Sequence, residues 1–144
     1  MPALTAPEPT LAEAVCLVLI GQGVEHGWAI GSLLADDGEL GRIWSLSRPL
    51  TYRAIDGLAA AGLVTRAEAP TGRGRDRVRL RMTAAGRRVA AAWLDRPCVH
   101  VRDLRTELLL KLVLRQRVGL EIESLLDAQE RELETAIDAL THRS

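Results

Sequence analysis

The stretch TGRGRDRVRLRMT, from Thr71 to Thr83, gathers the residues best suited to grip a phosphate backbone. A guanidinium offers a planar fork of donors that matches phosphate oxygens in pairs. Gly72 and Gly74 suit a tight turn. After them Val78, Leu80 and Met82 alternate with Arg77, Arg79 and Arg81. Period-two alternation is the mark of a half-buried strand. The segment therefore predicts a basic β-hairpin with Arg73, Arg75 and Arg77 at its tip, where they can contact phosphates.

The charge distribution supports this. The 144-residue chain carries 19 basic and 19 acidic residues, a net charge of zero. From Arg42 to Arg88, eleven arginines face only Asp56, Glu68 and Asp76, a net of +8, which leaves −8 for the rest. A neutral total thus conceals one basic module and an acidic remainder, a pattern expected of a nucleic-acid face. Charge alone also fits a solvated surface, so the reading needs a fold that presents the arginines together.

Other chemistry has little foothold. His26, His100 and His142 are scattered, and Cys16 and Cys98 lack metal-site spacing, so neither a metal nor another cofactor is expected. Gly72-Arg-Gly74 lacks the spacing and lysine of a phosphate loop. No nucleophile–base set or carboxylate pair stands out, and no enzyme is expected. The apolar run from Leu11 to Ile20 is shorter than the ~18 residues of a membrane span. No basic leader precedes it, and two cysteines do not make a disulfide framework, so the expected location is cytoplasmic.

The elements that must position the arginines follow from periodicity. Leu11, Ala14, Val15, Val18 and Leu19 predict a first helix with Thr10 as N-cap and Gly21 and Gly23 at its end. His26 to Leu34 predicts a second, broken by Asp36-Asp-Gly38. Ser47 can cap a third, with Pro49 tolerated in its first turn. Leu50, Ala54, Ile55, Leu58 and Ala61 make its apolar side, and Gly62 stops it. Leu63–Ala69 and Arg77–Met82 form the hairpin. Thr83 caps a further helix carrying Val89, Ala92 and Trp93. Three helices and a hairpin in this order describe a winged helix, mainly α with a small β-hairpin. Its third helix enters the major groove, and Ser47, Arg48, Thr51, Tyr52 and Arg53 occupy the half of that helix that inserts deepest.

The C-terminal third reads differently. From Leu104 to Val118 apolar residues, including Leu104, Leu108 and Leu112, leave almost no polar face and demand cover. Ile122, Leu126, Gln129, Leu133, Ala136 and Leu140 then step by four and three, the a/d seam of a short coiled coil. A second subunit is the natural cover. Gln129 on that seam either sets register or lies at an open edge. The expected division is residues 1–92 as winged helix and 93–144 as dimerisation region.

His26-Gly-Trp28, the run from Trp44 through Pro49, Tyr52, Leu58 and Gly62-Leu63 to Val64, and Leu80-Arg-Met-Thr-Ala-Ala-Gly86 resemble the PadR family of transcriptional regulators. Trp93–Pro97, His100–Arg105 and Glu107–Leu112 resemble the C-terminal helices of its virulence-activator-like branch. The resemblance spans Leu11 to Leu140. It implies a winged-helix homodimer, joined through its C-terminal helices and N-terminal helix, that binds near-palindromic operator DNA, usually as a repressor. It also suggests small aromatic effectors, for which Trp28 and Trp93 are the candidate pocket residues. The alternative is a winged-helix interaction module whose basic face binds an acidic protein partner.

Overall fold

The computed structural model describes residues 8–68 and 78–142. Among them are six α-helices and one two-stranded antiparallel hairpin: α1 (Leu11–Gln22), α2 (Gly27–Leu34), α3 (Arg48–Ala60), β1 (Val64–Glu68), β2 (Val78–Met82), α4 (Ala84–Asp95), α5 (Leu109–Arg117) and α6 (Glu123–Thr141). The chain divides into two compact units at Ala90/Ala91, within α4.

In the first unit α1 is the central element. Every residue from Ala14 to Ile20 is buried, so this helix is apolar all round and must be wrapped. It packs against α3, β2 and α2. Its start is a reciprocal capping box: the Thr10 hydroxyl accepts the Glu13 N–H, and the Glu13 carboxylate accepts the Thr10 N–H. Its end is Gly23 at φ 113°, a left-handed conformation that only glycine takes at no steric cost. Cys16, completely buried, behaves as a small hydrophobe, and burial pushes its thiol up to about 12.

The loop from Ala35 to Leu46 is tied down. Leu40 is fully buried, the Leu33 carbonyl accepts the amides of Leu40 and Gly41, and Leu46 N–H bonds back to Leu34. Ser47 then caps α3, accepting the Leu50 N–H at 3.3 Å. Ala54, Ile55 and Leu58 form the buried face of α3.

Val64 pairs with Met82 and Glu68 with Val78 across the hairpin. The alternation read from β2 holds at Leu80, which is buried, while Val78 is 38% exposed near the open end. A further bond from Leu80 N–H to the Glu25 carbonyl, 2.7 Å, ties β2 to the segment before α2. Thr83 caps α4 by accepting the Gly86 N–H and donates to the Gly62 carbonyl. α4 turns Ala90, Trp93 and Leu94 inward, not Ala92, which is exposed.

The second unit departs most from expectation. The stretch read as one helix from Leu104 to Val118 is a 3₁₀ turn (Val101–Asp103), a π-helical turn (Leu104–Leu108) and then α5. Its inward residues are Leu110 and Leu114 together with Lys111 and Arg115, the charged ones, at 1% and 3% exposure. Burial of cations is tolerable only with dense partners. Lys111 Nζ donates to the Arg96 carbonyl at 2.6 Å and lies 3.4 Å from Glu107. It also sits 5.0 Å from the centroid of the buried Trp93 ring. Arg115 donates to the carbonyls of Leu94 and Glu121 and pairs with Asp95. Hydrophobicity counts miss this, because the partners are backbone carbonyls at chain turns.

The α6 seam also splits. Leu125 and Gln129 are buried, Ile122, Leu133 and Ala136 are half-buried, and Leu126 and Leu140 are 40% and 66% exposed. Gln129 neither sets a coiled-coil register nor lies at an edge. Its amide accepts the Cys98 N–H at 2.7 Å and donates to the Cys98 carbonyl at 2.9 Å. Gln129→Ala should therefore cost about 3 kcal/mol in chemical unfolding, since two buried backbone groups lose their partners. Gln129→Glu keeps only the acceptor. Its buried carboxylate, facing a carbonyl, has a raised pKa, so this variant should be weakest at high pH and recover as pH falls and the carboxyl regains a proton to donate.

Candidate nucleic-acid interface

The residues expected to read DNA from α3 divide by what their side chains already do. Ser47 is exposed but engaged as the N-cap. Thr51 is fully buried and its hydroxyl donates to the Ser47 carbonyl at 2.9 Å, so it offers no surface for a base. The reason is the turn geometry: Thr51 lies four residues after the cap and falls on the same side as Ile55 and Leu58. Tyr52 is half-buried against Gly27, where an added Cβ would come within 2.6 Å of its ring. Arg53 is exposed, and among the described residues no ion pair holds it.

Arg48 is the unexpected one. Its guanidinium carbon lies 3.5 Å from the centroid of the Trp28 ring. Nη1 donates to the Trp28 carbonyl at 3.1 Å and Nη2 to the Ser32 hydroxyl at 3.2 Å. Nothing in the local pattern of α3 points to this arrangement, since its partners lie 16 to 20 residues earlier on α2.

The hairpin arginines also divide. Arg66 on β1 pairs with Asp56 on α3, joining hairpin to helix. Arg79 Nε lies 3.1 Å from Glu25, and His26 Nδ1 lies 3.1 Å from the Val78 carbonyl. Arg79 thus fastens the hairpin to the α1–α2 connection. Arg81 lines a shallow depression with Gly21, Gly23 and Arg87. Arg73, Arg75 and Arg77 lie outside the described residues. Between α3 and the hairpin lies a half-open apolar cavity of about 180 Å³ lined by Gly27, Tyr52, Ile55, Val78 and Leu80, with the Asp56–Arg66 pair at its edge.

The other candidate residues are already engaged in packing. Trp93 is buried beneath Lys111, and one face of Trp28 carries Arg48. Trp93 thus has no exposed face for the flat ligand expected from the sequence, whereas Trp28 remains 46% exposed. The Cys98 thiol is pushed up to about 12 by burial and by its 3.0 Å hydrogen bond to Glu107, which suits structure and not nucleophilic work. Among the described residues no group of three or more His, Cys, Asp or Glu side chains could hold a metal ion, and no helix is long and apolar enough to cross a membrane.

No protein-family model matches the chain, and no curated protein matches it in sequence. Among solved structures, its fold is similar to that of Bacillus subtilis PadR in complex with operator DNA, with a TM-score of 0.57 and 21% identity over 92% of this chain and 73% of that one. The chain therefore has the winged-helix fold of PadR, with a mainly helical architecture around one hairpin.

Proposed function

We propose that this protein is a cytoplasmic, PadR-like transcriptional regulator, a repressor that binds a near-palindromic operator as a homodimer. The observation that carries the reading is the coincidence of two independent facts. The fold is that of a protein solved on its operator, and the +8 charge of this chain falls between Arg42 and Arg88, the part that holds α3 and the hairpin. The acidic-partner reading gains nothing from that fold likeness.

In this proposal α3 lies in the major groove with Arg53 as the exposed side chain able to read guanine, a contact of about 1–3 kcal/mol of discrimination. Arg73, Arg75 and Arg77 grip phosphates. Each phosphate contact adds ~0.9 to the slope of log affinity against log salt. Arg73→Ala with Arg75→Ala should weaken binding to all duplexes about equally and lower that slope by ~2. An unchanged slope, measured by titration across salt concentrations, would remove the hairpin tip from the interface.

Homodimerisation is proposed through the C-terminal unit. Leu126, Ile137 and Leu140 on α6 are 40–66% exposed and Leu109 on α5 is 46% exposed. With half-buried Leu133, the α6 residues lie at spacings of seven, four and three, a stripe along one side of the helix. Half-buried Leu104, Leu108, Leu112 and Ile122 complete the proposed set. Sedimentation at micromolar concentration should show the dimer alone, and Leu126→Glu with Leu140→Glu should release monomer. A wild-type monomer under those conditions would contradict this part of the proposal.

A further inference from the structure

We infer that Arg48 and Trp28 form a clamp that sets α3 at its angle to α2, and that Arg48 positions the reading helix and does not itself read a base. The inference rests on the DNA-binding reading above. Arg48 is the first residue of α3, a place from which a side chain could reach a groove floor. Its guanidinium instead lies back across α2. The cation covers the Trp28 ring at 3.5 Å, and two of its N–H groups are spent on the Trp28 carbonyl and the Ser32 hydroxyl. The Ser32 hydroxyl donates in turn to the Trp28 carbonyl at 3.1 Å, so the three residues form one closed set. Reaching a base edge would break the stack and both Arg48 hydrogen bonds at once.

The neighbouring backbone is shaped for the clamp. A Cβ at Gly31 would stand 2.6 Å from Arg48 Nη1, so any other residue at position 31 would push the guanidinium from its place. The clamp also has work to do. α2 is eight residues long, and its N-cap, His26, makes no side-chain cap bond. Its seating on α3 depends on a few buried residues, chiefly Ile30 and Leu34, and on this stack. In a helix-turn-helix the angle between these two helices decides how the second one enters the groove. A planar fork that stacks on an indole and bonds in two directions is a role lysine cannot fill.

The test uses the full chain and compares affinities for a selected site and for every single-base variant of that site. Arg48→Ala should weaken binding to every duplex by the same factor, about tenfold, and leave the ranking of bases unchanged. Trp28→Ala should do the same, and the double variant should be no worse than either single one. Trp28→Phe, which keeps a ring for the guanidinium, should recover most of the loss. Arg48→Lys should recover less. Arg53→Ala should change the ranking at a base pair. A thermal-unfolding cycle on the same proteins provides an arm that needs no DNA: losses at positions 28 and 48 should be coupled, and Arg53→Ala should add independently to both. An altered base ranking in Arg48→Ala or Arg48→Lys makes Arg48 a reader and overturns the inference, as do additive losses at 28 and 48 in the unfolding cycle. If the wild-type protein ranks no duplex above another, the DNA-binding reading falls, while the unfolding cycle still decides whether the clamp exists.

Discussion

The first unit depends on the burial of α1. A helix with seven consecutive buried residues cannot stand at a surface, and α3 and β2 are both packed on it. One apolar rod therefore fixes a helix and a hairpin in relation to each other. The polar contacts refine that seating. Arg66–Asp56 joins hairpin to α3, Arg79–Glu25 joins hairpin to the α1–α2 connection, and Arg48–Trp28 joins α3 to α2. Exposed ion pairs are individually worth about 0–1 kcal/mol, so their contribution is to orientation more than to stability. Among arginines that look equivalent in the sequence, Arg48, Arg66 and Arg79 thus brace the scaffold.

The second unit solves a different problem with the same residue type. At the end of α4 (Leu94 and Asp95) the chain bends through Arg96, Pro97 and Cys98, leaving carbonyls and an amide that helix geometry does not satisfy. Lys111 and Arg115, one turn apart on α5, and Gln129 on α6 reach into that bend and take up those groups. Removing Arg115 or Gln129 strands a buried backbone group, which costs more than the bond itself contributes.

Much of this was legible in the chain. Thr10, Ser47 and Thr83 mark the starts of α1, α3 and α4, because caps act on neighbours within one turn and need no tertiary knowledge. Gly23 and Gly62 mark ends for the same reason, and the alternation in Val78–Met82 carries the strand. What was not legible is long-range. The stack of Arg48 was hidden because its partners, Trp28 and Ser32, sit on another helix. Thr51 looked exposed because a small hydroxyl residue is compatible with either side of α3. The burial of Lys111 and Arg115 inside the apolar stretch was not legible, since period counting cannot see a carbonyl waiting inside. Gln129 was placed on a seam by its spacing, whereas its partner is the backbone of Cys98, thirty-one residues earlier.

The central claim is that α3 and the hairpin together recognise a DNA sequence. The most direct measurement is selection of bound duplexes from a random pool by the wild-type protein, followed by affinities for the selected site and a scrambled duplex at one physiological salt concentration. The account predicts an inverted repeat with half-sites about one helical turn apart, roughly 34 Å, and a preference of ~10³ or more over the scrambled duplex. Enrichment of no motif, with equal affinity for both duplexes, would contradict it.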